Sequence, residues 1–193
     1  MTTMDEVEMA VSSIRESNLE QFVVLQCTGN YPSRLENTNL RVMQTYRREL
    51  NCLVGYSDHT KDMINPVAAT AMGACIFEKH FTLDNNMPGP DHRMSLEPDE
   101  LKATVDIIRK TELALGSTIK KVLPEEEENR TKLRKSIVAA VEIPVGTKLK
   151  REMLTVKRPG TGISPTKIKD LLHYQARTDI KKDSTILYEM LEK

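Results

Sequence analysis

Two histidines, His59 and His80, each follow a short apolar run and are the side chains best placed to do chemistry. The first run is Leu53 to Tyr56 and the second is Cys75 to Phe77, and both runs predict strands. Between them, Pro66 to Met72 predicts a helix with proline in its first turn. A strand–helix–strand unit of this length makes its two strands parallel neighbours. We therefore expect the two imidazoles to lie side by side at one edge of a sheet.

Alternation along the two strands brings a serine and a carboxylate to the same edge. Ser57 shares a strand face with His59, and Glu78 shares one with His80. Imidazoles and a carboxylate that converge in this way can bind a divalent metal or transfer protons. Glu78 can act there as a ligand, as a hydrogen-bond acceptor for an imidazole, or as a proton carrier. The alternative is that both histidines are ordinary surface residues or hydrogen-bonded core residues.

Three more charged residues lie close to the histidines in sequence. Asp58 is expected to cap the turn that follows the first strand. Lys79 is expected to face away from His80, because successive side chains alternate along a strand. Asp91 follows Gly89-Pro90 and either caps that turn or contributes a carboxylate to the site.

The elements around this unit alternate between helical and strand patterns as far as residue 118. The capping-box sequence Thr3-Met4-Asp5-Glu6 opens a predicted helix that ends near Asn18. Phe22 to Thr28 is a near-continuous apolar run, typical of a strand covered on both faces. Helices are also predicted from Leu40 to Leu50 and from Pro98 to a C-cap at Gly116. The order αβαβαβα implies a parallel sheet. Three strands alone would leave both sheet edges unpaired, so we expect further strands outside these residues.

The last third of the sequence predicts a second domain of short strands. Residues 119–135 are rich in charge, including Glu125 to Glu128, and indicate a solvated linker or, alternatively, an acidic interaction patch. Residues 136–193 contain short apolar runs separated by proline and glycine turns. A helix is predicted from Pro165 to His173 and a last strand from Thr185 to Tyr188.

Composition excludes several classes of function. The 193 residues include 28 basic and 28 acidic side chains, so there is no electrostatic case for binding nucleic acid or an acidic membrane. The acidic N-terminus is not a signal peptide, and no apolar run is long enough to cross a membrane. Cys27, Cys52 and Cys75 form no CxxC pair and are expected to be buried free thiols, which suits a cytoplasmic protein.

Several longer motifs, in fixed order, resemble one enzyme family. GYSDHT, EKHFTLD, GPDH with SLEPDEL, and LTVKRPGTGIS are similar to the C-terminal half of sialic acid synthase (N-acetylneuraminate synthase) and of its bacterial relatives that make legionaminic-type sugars. The resemblance runs from Met1 to the end of the chain. It implies an α/β fold in which residues 1–118 are the C-terminal part of an aldolase-type TIM (β/α)8 barrel, carrying strands six to eight. Residues 136–193 would form a small antifreeze-like SAF domain of the β-clip type.

The resemblance also implies a reaction and a metal. The family condenses phosphoenolpyruvate with N-acetylmannosamine, or a related 2-acetamido sugar, and releases phosphate. His59 and His80 match the family's metal ligands, and the implied metal is Mn²⁺, with Mg²⁺ or Co²⁺ as alternatives. Met1 is interpreted as an internal methionine of a longer parent. The chain alone is then expected to be inactive, because the phosphoenolpyruvate-binding residues of the family lie mainly on the first five strands.

Three further residues match positions with a role in the family, and Glu78 and Ser57 are added as candidates by their place and chemistry. Asp91 matches a carboxylate that lies against the sugar, and Glu78 is the second candidate catalytic carboxylate. Ser57 is a candidate contact to phosphoenolpyruvate, and Tyr31 matches a tyrosine near the substrate. Arg158 matches the arginine that holds the N-acetyl group from the other subunit of a domain-swapped homodimer.

Two other functional readings compete with the synthase. The chain can be a non-catalytic module that binds a carbohydrate or a partner chain, although such a module has no need of a histidine pair. An unrelated aldolase-type barrel enzyme does not explain the KRPGTGIS segment. His92 and His173 have no match in the family and are expected to be ordinary surface residues.

Overall fold

The computed structural model describes residues 1–193, which divide into two compact units, 1–118 and 119–193. Helices and strands alternate through the first unit, and two single 3-10 turns, Leu35–Asn37 and His92–Met94, interrupt its loops. The elements are α1 (Met4–Glu16), β1 (Val23–Cys27), α2 (Val42–Leu50), β2 (Leu53–Asp58), α3 (Ile64–Ala71), β3 (Phe77–Lys79) and α4 (Pro98–Leu115).

The three strands form one parallel sheet in the order β1-β2-β3, as the alternating pattern predicted. The core of this unit lies where the sheet packs against α2 and α3, and its buried members include Met43, Val54, Tyr56 and Ala69. The packing is close at Gly55, where a Cβ atom would lie 2.4 Å from Leu25 Cδ2 and 2.6 Å from the carbonyl oxygen of Ile76. Only glycine fits at that position of the middle strand.

The predicted ends of α1 and α4 are confirmed, whereas α2 begins at Val42 rather than Leu40 and α3 spans Ile64–Ala71 rather than Pro66 to Met72. Thr3 caps α1 through a capping box, in which the Thr3 N–H donates to Glu6 Oε2 over 2.7 Å and the Glu6 N–H donates to Thr3 Oγ1 over 3.4 Å. Pro98 opens α4 and Gly116, at φ 55°, ends it. These local signals explain why α1 and α4 begin and end where the sequence predicts.

The strands β2 and β3 run further into polar sequence than their apolar runs do, as the predicted strand faces of Ser57 and Glu78 require. The apolar runs end at Tyr56 and Phe77, whereas β2 continues to Asp58 and β3 spans Phe77–Lys79, starting two residues later than the run that begins at Cys75. The ladder continues because Ser57 and Asp58 pair with Glu78 and Lys79. Hydrophobicity alone underestimates the length of a strand whose polar end is buried.

The cysteines are free, as predicted, but they are not all buried. Cys52 is half-buried, whereas Cys27 and Cys75 are exposed. Cys27 is the last residue of β1 and Cys75 precedes β3, so both lie at the margins of a sheet that has only three strands.

The second unit is built from short strands and turns. Its core combines residues of all its strands with the short helix, and Ile137, Ile143, Leu171 and Ile186 are fully buried there. Two antiparallel pairs, β4-β5 and β6-β7, form its sheets, and 3-10 turns lie at Arg151–Met153, Pro165–Lys167 and Tyr188–Met190. The elements are α5 (Pro124–Leu133), β4 (Ser136–Ala139), β5 (Leu154–Lys157), α6 (Ile168–Leu171), β6 (Gln175–Ala176) and β7 (Leu191–Glu192).

Two predictions for the second unit need correction. The predicted helix from Pro165 to His173 is a 3-10 turn followed by the single helical turn α6. The predicted last strand from Thr185 to Tyr188 is wrong, since Tyr188 begins a 3-10 turn and the strand is β7. Thr185 makes only an isolated bridge to Val138. The sequence around Thr185 has a strand-like pattern because a short extended segment there packs into the core.

The charged stretch predicted as a linker contains the helix α5. Pro124 is its first residue, three glutamates occupy its first turn, and Arg130 and Lys132 lie in its last turn. This charge order favours a helix through its dipole. None of its residues is buried, which agrees with a solvated stretch. Its C-terminal end is nevertheless bonded to the rest of the second unit, because the Gly160 N–H donates to the Thr131 carbonyl over 2.8 Å.

No helix in the chain combines the length and the apolar character that a membrane crossing requires.

The core of the second unit can be tested with two leucines of the same unit. Leu171 is 0% exposed and Leu133 is 55% exposed. We expect Leu171→Ala to lower the free energy of unfolding of this unit by about 2–5 kcal/mol, because it leaves a cavity in a closed core. Leu133→Ala is the matched control and should change it by less than about 0.5 kcal/mol. Urea titrations followed by circular dichroism compare the two, and equal effects would contradict the assigned core.

Candidate functional site

His59 and His80 directly follow the ends of β2 and β3, and their rings are neighbours. The ring centroids are 5.3 Å apart and the ring planes are tilted by 70°. The strands are in register so that Asp58 lies beside Lys79, and the next residue on each strand is a histidine. The expectation that the two imidazoles meet at one sheet edge is therefore confirmed.

His59 is held in one tautomer by the end of β1. Its Nδ1 lies 2.8 Å from the carbonyl oxygen of Thr28, and a carbonyl can only accept a hydrogen bond. Nδ1 therefore carries the proton, and Nε2 presents a lone pair. The His59 backbone is fixed as well, since its carbonyl accepts from the Ser33 N–H over 2.8 Å. At 8% exposure, this is a buried and oriented imidazole whose Nε2 is the nitrogen able to bind a metal.

Tyr31 packs onto the histidine pair. Its ring centroid lies 4.0 Å from that of His59 and 5.4 Å from that of His80. The ring is 47% exposed, so one side covers the imidazoles and the other faces outwards. The three rings form one cluster at the carboxyl end of the sheet.

The surroundings of Tyr31 disfavour ionisation of its hydroxyl. Partial burial raises the pKa of Tyr31 above its usual value, and the negative charges of Cys27, Asp91 and Glu78 raise it further. The two carboxylates therefore lie close enough to the ring cluster to act on it electrostatically. The assignment of Glu78 and Asp91 to the site stays a prediction, and their electrostatic effect on Tyr31 supports it.

Ser57, Glu78 and Asp91 complete the set of predicted residues in the first unit. Ser57 is buried and pairs in register with Glu78, whose side chain is exposed. Asp91 precedes the 3-10 turn His92–Met94, but its side chain makes no capping hydrogen bond. The alternative reading of Asp91 as a turn cap is therefore wrong. Its carboxylate is exposed and is not used to cap that turn.

His92 is not the ordinary surface residue that the sequence suggested. Its Nδ1 lies 2.7 Å from the hydroxyl of Thr82, and the ring is half-buried. A Cβ at Gly89, where φ is 146°, would lie 2.9 Å from His92 Cδ2. His92 thus holds the loop that carries Asp91. His173, in contrast, is exposed as predicted.

A buried ion pair lies directly beneath the histidines, and sequence reasoning missed it. Lys79 Nζ donates to Asp58 Oδ2 over 2.9 Å, and the two side chains are only 6% and 0% exposed. Lys79 does face away from His80, as predicted, and Asp58 does cap its turn by accepting from the Thr60 N–H over 3.0 Å. The spacing was visible in the sequence, because Lys79 follows Asp58 by 21 positions and His80 follows His59 by the same number.

Arg158 lies in the second unit, directly after β5. Its Nε donates to the carbonyl oxygen of Leu133 over 2.9 Å, at the C-terminal end of α5. Gly160 packs against the same helix end, where a Cβ would lie 2.7 Å from Arg134 Cβ. The helix in the predicted linker is therefore the support of the exposed Arg158 side chain, a role that no sequence motif indicated.

Residues 1–120 match the NeuB family and residues 134–192 match the SAF domain. The chain belongs to the NeuB family. It is 38% identical to the N,N'-diacetyllegionaminic acid synthase of Legionella pneumophila, covering 100% of this chain and 55% of that protein. It is 40% identical to the human (Homo sapiens) N-acetylneuraminate-9-phosphate synthase, covering 100% and 54%. The chain thus spans about half the length of the curated relatives it matches.

Solved structures support this assignment. An N-acetylneuraminic acid (sialic acid) synthetase from Leptospira borgpetersenii, solved with citrate, is 33% identical with a TM-score of 0.61 over 67% of this chain and 45% of that one. The spore coat polysaccharide biosynthesis protein spsE of Bacillus subtilis is 32% identical with a TM-score of 0.57 over 100% and 59%. The resemblance drawn from the motifs is confirmed at the level of the family.

The histidine pair of this NeuB-family chain fits a metal ion whose other ligands come from substrate, water or residues outside the chain. Two imidazoles lie together, and His59 has its Nε2 available by tautomer. No group of three or more histidine, cysteine, aspartate or glutamate side chains is arranged to hold a metal ion. Two nitrogen ligands plus oxygen ligands from substrate and water suit a divalent first-row metal with open positions.

The tautomer of His59 in the NeuB-family site can be measured directly. We expect neutral His59 to carry its proton on Nδ1, because Thr28 offers only an acceptor there. Long-range ¹H–¹⁵N correlation spectra at about pH 8, where an ordinary imidazole is neutral, distinguish the two ring nitrogens. The exposed His173 is the internal control and should show the Nε2–H form that predominates in solution. An Nε2–H tautomer at His59 would contradict the assigned orientation.

The closeness of Asp91 to Tyr31 gives a second test. Replacing the carboxylate by an amide in Asp91→Asn removes a negative charge that opposes ionisation of the tyrosine. We therefore expect the pKa of Tyr31 to fall towards its ordinary value, measured from the ¹³Cζ shift of the ring during a pH titration. Asp99→Asn, in the exposed first turn of α4, is the control and should leave the Tyr31 titration unchanged. An unshifted Tyr31 in Asp91→Asn would separate Asp91 from the ring cluster.

Proposed function

We propose that this chain forms the C-terminal part of a sialic acid synthase-type enzyme. The reaction joins phosphoenolpyruvate to N-acetylmannosamine or a related 2-acetamido sugar, giving a nonulosonic acid and phosphate. The observation that carries the proposal is the pair of adjacent imidazoles, His59 and His80, at the carboxyl end of a parallel sheet in a NeuB-family chain. Active sites of parallel α/β folds are built at that end of the strands.

We further infer that residues 1–118 contribute three consecutive units of an aldolase-type (β/α)8 barrel. Support comes from the strictly parallel order β1-β2-β3 with a helix before or after each strand. Within the chain, β1 and β3 have one strand neighbour each. A closed barrel would pair their other edges. Five additional strands are then required from sequence outside this chain.

The histidine pair is the proposed ligand set for a divalent metal, with Mn²⁺ favoured over Mg²⁺ or Co²⁺. Such an ion supplies Lewis acidity at the aldehyde oxygen of the open-chain sugar and aligns both substrates. His59 would bind through Nε2, since its Nδ1 keeps the proton that it donates to the Thr28 carbonyl. His80 would bind beside it. Tyr31 covers both rings and limits the access of water to them.

The remaining residues are assigned by what their atoms can do in this reaction. The alkene carbon of phosphoenolpyruvate bonds to the aldehyde carbon, the aldehyde oxygen gains a proton, and water adds to the former alkene as phosphate leaves. Asp91 and Glu78 are the carboxylates near Tyr31 that can orient sugar hydroxyls or move that proton. Ser57, buried at the end of β2, can donate to a carboxylate or phosphate oxygen of phosphoenolpyruvate.

Arg158 is the proposed contact to the acetamido group. A planar guanidinium donates to a carbonyl and to hydroxyls at once. We propose that it acts on the barrel of the other subunit in a domain-swapped homodimer, and that the enzyme works in the cytoplasm, where its three free thiols remain reduced.

Metal binding by the chain itself is the first test. We expect Mn²⁺ to bind the purified chain, seen as loss of the free-ion signal in electron paramagnetic resonance. His59→Ala and His80→Ala should each weaken binding at least about 10-fold, because each removes a nitrogen ligand. His173→Ala is the matched control and should bind like the parent chain. Equal binding by all three variants would refute the metal role of the pair.

Catalysis is tested by phosphate release from phosphoenolpyruvate with N-acetylmannosamine and Mn²⁺. The chain alone should release no phosphate, since loss of members of a catalytic unit lowers the rate by orders of magnitude. Coexpression with the N-terminal part of the Legionella pneumophila relative should restore release, and His59→Ala should abolish it. A folded complex that binds the sugar but releases no phosphate would favour a non-catalytic binding module.

A further inference from the structure

The buried pair of Asp58 and Lys79 links the two strands that carry the histidines. These residues are partners in the parallel register of β2 and β3, and each immediately precedes a histidine. Side chains alternate along a strand, so the ion pair lies on one face of the sheet and the imidazoles on the other. The ion pair is therefore the last side-chain connection between the strands before His59 and His80.

Lys79 also reaches past Asp58 to the turn beyond β2. Besides the 2.9 Å bond to Asp58 Oδ2, its ammonium group donates to the carbonyl oxygen of Thr60. Asp58 in turn accepts from the Thr60 N–H over 3.0 Å and from the Thr60 hydroxyl over 2.9 Å. The residues on both sides of His59 are thus tied to one ammonium group on β3, Asp58 through its side chain and Thr60 through its backbone carbonyl.

The rest of the Asp58 environment is polar and closed. Asn65, on α3, donates to Asp58 Oδ1 over 3.2 Å, and the Tyr56 hydroxyl lies 3.4 Å from the same oxygen. No buried side-chain nitrogen or oxygen in the chain lacks a partner. A fully buried carboxylate with several donors has little freedom to move.

Stability alone gives a weak reason for this arrangement. Burial of an ion pair costs desolvation free energy, and an apolar pair of similar volume is often equally or more stable. An apolar pair, however, makes no directional hydrogen bonds and so does not fix the relative position of the two strands as closely. The ammonium group fixes the position of β3 against the turn after β2 to within a hydrogen-bond length, and this turn sets where His59 leaves the strand.

We propose that Asp58 and Lys79 are positioning residues that hold His59 and His80 at the spacing needed to share one metal ion. The inference rests on the metal role given to the histidines in the proposed function. It assigns no contact with metal or substrate to the ion pair itself. Its effect reaches the site only through the two imidazoles.

The test compares variants of the whole chain with Cu²⁺ as the probe. Cu²⁺ binds imidazole most strongly among the divalent first-row ions, and its electron paramagnetic resonance spectrum reports how many nitrogens are bound. His59→Ala combined with His80→Ala gives the background from other sites. The test variants are Lys79→Met and the charge-neutral double variant Asp58→Asn with Lys79→Met. The matched control is Lys102→Met, which removes the exposed ion pair between Lys102 and Asp106 on α4.

We expect the parent chain and Lys102→Met to bind Cu²⁺ through two imidazoles. Both ion-pair variants should shift to one imidazole, and their affinity for Mn²⁺ should fall about 10- to 100-fold, as when other residues that orient metal ligands are changed. In the His80→Ala background, Lys79→Met should have no further effect on Mn²⁺ affinity, because no second imidazole remains to be positioned. A purely structural role would give an effect of the same size in both backgrounds.

Three outcomes would overturn the inference. A folded double variant that keeps two-imidazole coordination and the parent affinity shows that the spacing does not depend on the ion pair. A double variant that fails to fold makes the pair a determinant of stability rather than of imidazole spacing. A parent chain that shows no two-imidazole spectrum removes the metal role itself, and with it the proposed function, so the two failures are distinguished by the parent chain alone.

Discussion

The parallel pairing of β2 with β3 is the interaction on which the candidate site depends. Both strands end at the same edge of the sheet because parallel strands share a direction, and their register puts Asp58 beside Lys79. His59 and His80 then emerge as neighbours. A slip of one residue would move every side chain to the opposite face, so the site exists only in this register. Gly55 helps to fix it, since the atoms of Leu25 and Ile76 leave no space for a Cβ there.

The polar ends of these strands show how a charged site is accommodated inside a fold. Asp58 is fully buried, and its oxygens accept from Lys79, Thr60 and Asn65. Burial and the nearby Asp58 carboxylate raise the pKa of Tyr56, which therefore stays a neutral hydroxyl next to it. Each polar group is satisfied within the sheet end, and this leaves the imidazoles on the other face available for ligands.

Sequence reasoning located the histidine pair because it needed only topology. The strand–helix–strand order and the positions of His59 and His80 at the strand ends are local features, and local features are visible in one sequence. The apolar pattern failed where burial and polarity coincide. It missed the ion pair, because a buried Asp58 and Lys79 look like surface residues until their partners are known.

The same limit applies to the misread parts of the loops and of the second unit. His92 looked like a surface residue because nothing local reveals its bond to the Thr82 hydroxyl, ten positions earlier. The short extended segment at Thr185 has a strand-like sequence, yet only an isolated bridge forms there, since strand identity depends on the available partner. The solvated appearance of α5 was correct for its side chains, but the role of its last carbonyls was not readable from composition.

One device recurs in both units and connects these observations. The Nδ1 of His59 donates to the carbonyl of Thr28, and the Nε of Arg158 donates to the carbonyl of Leu133. In each case a long polar side chain directly after a strand is oriented by a backbone acceptor from another element. A backbone carbonyl remains an acceptor when its own side chain is substituted. The orientation of His59 and Arg158 therefore depends on where the backbone runs rather than on the side chains of Thr28 and Leu133. Changes that move β1 relative to β2, or α5 relative to β5, therefore act on these two side chains even when neither residue is altered.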